Sequence, residues 1–493
     1  MSRLKFPFRR AAVILGLFCG LLLAGCSVGP KYRTPPVEAP SAYKEAGNWV
    51  QAQPNDQQLG GNWWEIFHDP LLNSLESQVN VNNQNLKAAE AQFEQARALF
   101  RYDRAAKYPT LTGGVSATGI GTSQNRPPLR SVFSGITYSD YVLPFDLSYQ
   151  VDAWGSVRHT IEAARDQAQA SAADLAVVNL SMHADLALYY FQARSLDAEE
   201  QLLNRTVADY ENFLQLTENR FHGGVATILD VQQAQTQLEA TRAQATDVGV
   251  LRAQYEHAVA VLIGKPPAEF SLAPLPLSTP PPSIPAGIPS ELLQRRPDIA
   301  AAERRVASAN AQIGVAKAAY YPSLTLGAAG GFESAAITSL VSGPSVFWSA
   351  GASAVTTIFD GGRRRAVTQQ AQAAYDQTVA NYRQATLTAF QQVEDNLAAL
   401  RILEQEAKTQ DSAVASAQEA LNTSTNRYKG GVTTYLEVIT SQNTALANEV
   451  TAVNILGRRM SNTVLLIEAL GGGWDASELP RITAKTEPAS RLH

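Results

Sequence analysis

The chain has 493 residues, a formal net charge of -5, six histidines and two cysteines. That balance argues against wrapping an acidic polymer such as DNA, because a phosphate-backbone reader needs a concentrated basic surface. The histidines, at 68, 159, 183, 222, 257 and 493, form no spaced metal-ligand cluster, and neither a glycine-rich phosphate loop nor a nucleophile elbow is present.

Arg9 and Arg10 precede an apolar segment over 11–24 that is too short for a stable membrane span and ends in Leu23-Ala24-Gly25-Cys26. Basic, then apolar, then small residues are the succession of a bacterial secretion signal. Cysteine at the cleavage point resembles the lipoprotein processing box. Residues 1–25 are therefore expected to be removed, and Cys26 to carry a covalent N-terminal lipid. Cys19 lies in the leader, which leaves the mature chain without a disulfide partner. Ser27 stands where an aspartate would signal inner-membrane retention in a Gram-negative lipoprotein, and this points outward. Beyond the leader no uninterrupted apolar run has the length of a membrane helix.

A helix is expected over 73–106, ended by the proline that follows Tyr108. Extended segments come next. Leu111, Gly113, Val115 and Ala117 alternate with polar or small residues, and Phe145, Leu147, Tyr149 and Val151 alternate with Asp146, Ser148, Gln150 and Asp152. Long Ala- and Gln-rich helices are predicted over 156–220 and 226–263, with a turn at Gly223-Gly224 between them. A 65-residue helix would extend roughly 98 Å, far beyond ordinary globular length. A proline-rich linker over 265–290 follows.

The pattern then starts again. A helix is expected over 298–319, then strands in which Leu324, Leu326, Ala328 and Gly330 share one parity and Val346, Trp348, Ala350 and Ala352 another. Helices over 364–427 and 434–470 flank Gly430-Gly431. Arg220-Phe221-His222-Gly223-Gly224-Val225-Ala226-Thr227 recurs as Arg427-Tyr428-Lys429-Gly430-Gly431-Val432-Thr433-Thr434, displaced by 207 residues. Tyr108-Pro109-Thr110-Leu111 recurs as Tyr321-Pro322-Ser323-Leu324, displaced by 213. Blocks matching in the same order indicate two copies of one unit, 73–264 and 291–470, between an N-terminal segment 26–72 and a tail 471–493.

The expected strands have the length and weak alternation of membrane β-strands, although periodicity alone also fits a soluble sandwich. Four strands cannot close a barrel in lipid, where each unpaired backbone group costs several kcal/mol. If they span a membrane, they close with strands from other subunits, in a number this reasoning leaves open. The paired helices suit a solvent-filled tube, with a filamentous coiled coil as the bland alternative.

Arg295-Arg296-Pro297-Asp298-Ile299, Ala302-Glu303-Arg304-Arg305, Ala309-Asn310-Ala311-Gln312-Ile313-Gly314 and Ala316-Lys317-Ala318-Ala319-Tyr320-Tyr321-Pro322-Ser323-Leu324 form one ordered block. With Gly29-Pro30-Lys31-Tyr32, Trp63-Trp64, Asp152-Ala153-Trp154-Gly155 and Phe359-Asp360-Gly361-Gly362, it resembles the TolC-like outer-membrane efflux family, in particular its NodT- and OprM-like lipoprotein branch. The resemblance covers essentially the whole mature chain. It implies a mainly α fold with transmembrane β: a homotrimer whose twelve-stranded barrel continues into a long periplasmic α-helical barrel. The implied partners are outer-membrane lipid, a periplasmic adaptor and an inner-membrane pump, commonly of the resistance-nodulation-division class. The implied activity is passive conduction with no enzymatic step, cofactor or metal.

The resemblance also assigns residues. Arg220, Phe221, Gly223, Gly224 and Val225, with Arg427, Tyr428, Gly430, Gly431 and Val432, become adaptor-contacting tips. Glu437 and Thr440 take the positions of a periplasmic gate, with threonine where a second carboxylate can stand. Asp146, Ser148, Gln150 and Asp152 are the candidate pore-facing residues, while the loops 121–139 and 333–345 belong to the external rim. Trp63 and Trp64 are expected to pack a belt around the helices.

Overall fold

The computed structural model describes residues 28–46, 61–123, 125, 135–284 and 289–482. Cys26, the 1–25 leader, most of the turn within 121–139 and the end of the tail lie outside the described residues. The chain divides into two compact units, Met1–Pro35 with Glu94–Ala168 and Glu303–Asn381, and Pro36–Phe93 with Gln169–Ala302 and Tyr382–His493.

The first unit holds one antiparallel sheet. Its strands are β1 (Thr110–Gly113), β2 (Ser116–Gly121), β3 (Thr137–Val151), β4 (Ser323–Ser334) and β5 (Val346–Val355). The order across the sheet is β1-β3-β4-β5, and β2 also pairs with β3. The segment expected as one strand from Leu111 is therefore two strands in tandem on β3. Their registers, Gly113↔Phe145 and Ser116↔Val142, share one frame, so Gly114 falls opposite Pro144. Proline has no N–H to give the ladder, and the pairing lapses there. Gly114 keeps one link by donating its N–H to the Pro144 carbonyl at 3.1 Å. On the other side Pro144 faces Gly331, where a Cβ would lie 2.0 Å from the Leu143 carbonyl oxygen. Glycine is required at that close approach.

A strap runs along the same unit. Val28 donates its N–H to the Trp154 carbonyl at 3.1 Å, Asn310 Nδ2 donates to the Pro30 carbonyl at 3.1 Å, and the Tyr32 hydroxyl donates to Glu303. The His159 ring packs on Gly29 and Gly314, whose missing side chains leave it room.

The second unit is helical. The helix expected over 73–106 is broken into α1 (Pro70–Asn82) and α2 (Gln84–Ala105). Asn83 makes the break: its backbone is extended, its Nδ2 donates to the Leu262 carbonyl at 2.8 Å, and its Oδ1 accepts from Leu86 N at 3.0 Å, capping α2. The long helices are α3 (Ser156–His222) and α4 (Ile228–Leu262) in the first copy. After α5 (Leu292–Arg295) and α6 (Pro297–Ala318) come their counterparts, α7 (Arg363–Lys429) and α8 (Tyr435–Ala469). The two copies repeat the same lengths, 67 residues then 35.

The core of this unit joins Trp63, Trp64, Leu72 and Val79 to Tyr190 and Phe191 of α3, Ile263, Val393 and Leu397 of α7, and Val464 and Ile467 of α8. The Trp64 ring stacks on His183 at 4.3 Å. The linker is tied down by Asp197, which accepts from Leu275 N at 2.8 Å and from Arg194 Nη1 at 3.0 Å.

Candidate functional site

Two places bear on function, and each lies within one unit. The first is the sheet. Directly opposed residues of an antiparallel pair project to the same face. Asp146, Ser148 and Gln150 of β3 stand opposite Ala329, Gly327 and Thr325 of β4, which stand opposite Ser349, Gly351 and Ser353 of β5. Thr112 and Thr110 of β1 face Asp146 and Ser148 from the other side. These facing positions are all polar or small, whereas farther along the strands the same face carries Val142, Pro144 and Phe347. The reverse face carries Leu111, Phe145, Leu147, Tyr149, Leu324, Leu326 and Trp348, and Trp348 is 80% exposed. The parities anticipated separately in the two copies are brought into one sheet with one apolar side.

Asp152, expected on the polar side of β3, lies beyond the strand, which ends at Val151. Its carboxylate accepts from Val157 N at 2.9 Å and Arg158 N at 3.0 Å, and pairs with the Arg158 guanidinium at 3.0 Å. It caps the start of α3, a role that the strand alternation concealed.

The sheet has two open edges. Among the described residues β5 pairs only with β4, and β1 and β2 pair only with β3. An apolar face beside unpaired backbone cannot rest in hydrocarbon unless another chain completes the ladder.

The second place is the pair of hairpin tips in the helical unit. Gly223 N donates to Asn219 O at 3.0 Å, Gly224 N to Phe221 O at 2.9 Å and Val225 N to Arg220 O at 2.8 Å. The second tip repeats this with Gly430 to Asn426, Gly431 to Tyr428 and Val432 to Arg427 at 3.0, 2.9 and 2.9 Å. Gly224 and Gly431 have φ of 71° and 73°, the left-handed geometry that stops a helix at glycine. Val225 and Val432 are exposed at the two turns.

The tips differ behind the turns. Thr227 and Asp230 form a reciprocal capping box at the start of α4. Thr434, the matching residue, makes no side-chain cap. Glu437, in the position of Asp230, instead lies 3.7 Å from Arg427 Nη1, with both side chains half-exposed. Thr440, one turn on, donates its hydroxyl back to the Leu436 carbonyl at 2.8 Å. Glu437 and Thr440 therefore share an exposed face of α8. Phe213, Tyr428 and Tyr435 pack ring against ring at 5.7–6.0 Å, and the Arg220 guanidinium sits 4.6 Å over Tyr428 while donating to the Lys429 carbonyl at 3.2 Å. Sequence reasoning had singled out Arg220 and Tyr428 but not Phe213 or Tyr435, whose role comes from contact between the two hairpins.

Among the described residues no group of His, Cys, Asp and Glu could hold a metal ion, and no helix is long and apolar enough to cross a membrane. A two-faced sheet with open edges, in a chain of duplicated helical hairpins, defines a subunit of an oligomeric membrane channel. The family model described as outer membrane efflux protein matches residues 75–265 and 288–472. The toluene efflux pump outer membrane protein TtgF of Pseudomonas putida is 33% identical over 482 residues, covering 96% of this chain and 99% of that protein. The cation efflux system protein CusC of Escherichia coli is 30% identical over 463 residues, 93% of this chain and 98% of CusC. The Campylobacter jejuni CmeC outer membrane channel superimposes with a TM-score of 0.86 at 25% identity, covering 92% and 96% of the two chains.

The chain belongs to the outer membrane efflux protein family. It is a TolC-type outer-membrane channel component that works with an inner-membrane pump and an adaptor in a tripartite efflux system. Its relatives are passive channel proteins rather than enzymes.

Proposed function

We propose that the mature protein is a homotrimer anchored in the Gram-negative outer membrane by a lipid on Cys26, conducting cargo from a resistance-nodulation-division pump. The observation that carries this reading is the open sheet. Its four positions across need partners on both edges, and head-to-tail pairing of β5 with β1 and β2 of the next subunit closes a ring. Three copies give the twelve strands of the family barrel. Asp146, Ser148 and Gln150 then line the bore, and Phe145, Leu147 and Tyr149 meet lipid. Asp152 is assigned to the cap of α3 instead.

Each subunit is built from the repeats 73–264 and 291–470. Their tips, at 220–225 and 427–432, meet the adaptor through the exposed Val225 and Val432. Glu437 and Thr440 form the gate. Support for Glu437 comes from its exposure: its counterpart Asp230 is consumed by a capping box, whereas Glu437 makes only a long, half-exposed ion pair with Arg427. The names of the relatives, a toluene pump and a cation system, span chemically distant cargoes, so cargo selection is assigned to the pump.

The test is the mass and low-resolution shape of the detergent-purified mature protein. A trimer with a compact ring and a long hollow stalk is the expected result. A soluble monomer without a stalk would remove both the shared barrel and the tunnel.

A further inference from the structure

Four junctions join strands to helices at one end of the sheet. β1 and β4 begin there, and β3 and β5 end there, because neighbouring strands run antiparallel. Each junction carries an exposed cation and an aromatic residue. Lys107 and Tyr108 lie between α2 and β1, and Lys317, in the last turn of α6, precedes Tyr320 and Tyr321 ahead of β4. Trp154 and Arg158 follow β3, and Phe359, Arg363 and Arg365 follow β5.

The aromatics are held at the surface. Tyr108 is 63% exposed and Phe359 86%, and the Trp154 ring stacks on Tyr321 at 4.9 Å while its indole N–H donates to the Pro322 carbonyl at 2.8 Å. Of the local carboxylates, Asp152 pairs with Arg158 and Asp360 with Arg364. Lys107, Lys317, Arg363 and Arg365 form no ion pair with another described residue within 4.0 Å. The strap also ends here, with Val28 bonded to Trp154. At the opposite end the described residues carry Asp140 and Glu333 and no cation, and Arg126 and Arg130 fall outside them.

We infer that this end of the sheet is a collar for anionic glycerophospholipid headgroups, with Lys107, Lys317, Arg363 and Arg365 contacting phosphate and the aromatics seated at the headgroup level. Amphipathic rings favour that depth, and a cation near an anionic leaflet contributes about 1 kcal/mol, roughly a five-fold preference. The inference rests on the reading of the sheet as an outer-membrane wall, whose helix-bearing side faces the periplasmic, phospholipid leaflet. Lipopolysaccharide is the anionic lipid of the other leaflet, beside the end that lacks described cations.

The experiment reconstitutes the full mature protein in an equal mixture of phosphatidylcholine and phosphatidylglycerol. The protein is then withdrawn into mild detergent, and its retained lipids are weighed by mass spectrometry. The unmodified protein should retain phosphatidylglycerol over phosphatidylcholine by at least about five-fold. The combined Lys107→Gln, Lys317→Gln, Arg363→Gln and Arg365→Gln variant should fall toward parity. Arg363→Lys with Arg365→Lys should keep the enrichment, as should Asp140→Asn with Glu333→Gln at the other end. Equal enrichment in the glutamine variant overturns the collar, and so does displacement of all the phosphatidylglycerol by added lipopolysaccharide. Recovery of the trimer from pure phosphatidylcholine separates the two readings. A trimeric glutamine variant that has lost enrichment supports the collar, whereas an unmodified protein that never inserts as a trimer refutes the membrane wall on which it rests.

Discussion

Glu76 and His183 make a buried pair whose proton count predicts how α1 stays docked. Glu76 Oε2 lies 2.6 Å from His183 Nδ1, and His183 Nε2 lies 3.0 Å from Asn80 Oδ1. Both side chains are almost wholly buried, and Glu76 Oε1 has no partner. Burial holds the His183 ring down to about 4 from 6.5 and raises the Glu76 carboxyl well above 4.5. The folded pair therefore binds one proton over a wide range, on whichever partner it sits.

Unfolded, the pair binds two protons below pH 4.5, one between 4.5 and 6.5, and none above 6.5. Taken singly, the depressed histidine loses stability as pH falls through 6.5 toward 4, and the raised glutamate loses it as pH rises above 4.5. The two slopes cancel between 4.5 and 6.5. Above 6.5 only the glutamate's contribution remains, and stability falls by about 1.4 kcal/mol per pH unit for as long as the folded carboxyl keeps its proton. Glu76→Gln keeps the shape and can donate to Nδ1, but it deletes the glutamate's contribution, so the variant should be flat above pH 6.5. The assay is amide hydrogen exchange at Leu72, Leu75 and Val79, corrected for intrinsic rate, in the detergent-solubilised trimer. Parallel slopes in variant and parent would refute the shared-proton account.

Three further outcomes follow from local geometry. Gly331→Ala places a Cβ against the Leu143 carbonyl and should prevent β3 and β4 from pairing, seen as loss of heat-resistant trimer on a gel; a normal trimer would contradict the close approach. Asp152→Ala removes the cap of α3 and should cost about 1 kcal/mol, with faster exchange at Val157 and Arg158, while Asp152→Asn restores most of it. Gly431→Ala meets no neighbour but must adopt a φ of 73°, so it should cost roughly 1–2 kcal/mol and raise exchange around the second tip without altering trimer yield.

The ends of the long helices and the parity of the strands were legible because both are local. Gly223-Gly224 and Gly430-Gly431 stop helices through their own backbone geometry, and α3, α4, α7 and α8 end within two residues of where the turns place them. Register makes the parities meaningful: Leu326 facing both Tyr149 and Ala352 is what turns separate alternations into one apolar face. The features that escaped depend on distant partners. Asn83 breaks a helix because Leu262 offers it a carbonyl, and Asp152 leaves its strand because two amides of α3 wait beyond it.

The same distinction separates the two tips. Thr227-x-x-Asp230 and Thr434-x-x-Glu437 are equivalent as local patterns, yet only the first closes a capping box. At the second tip Tyr435 begins α8 inside a ring cluster with Phe213 and Tyr428, where Arg220 from the first hairpin also lodges. Contact between hairpins therefore accompanies a cap left unmade and a carboxylate left exposed. A duplicated sequence can carry two different tips because each copy packs against the other rather than against itself.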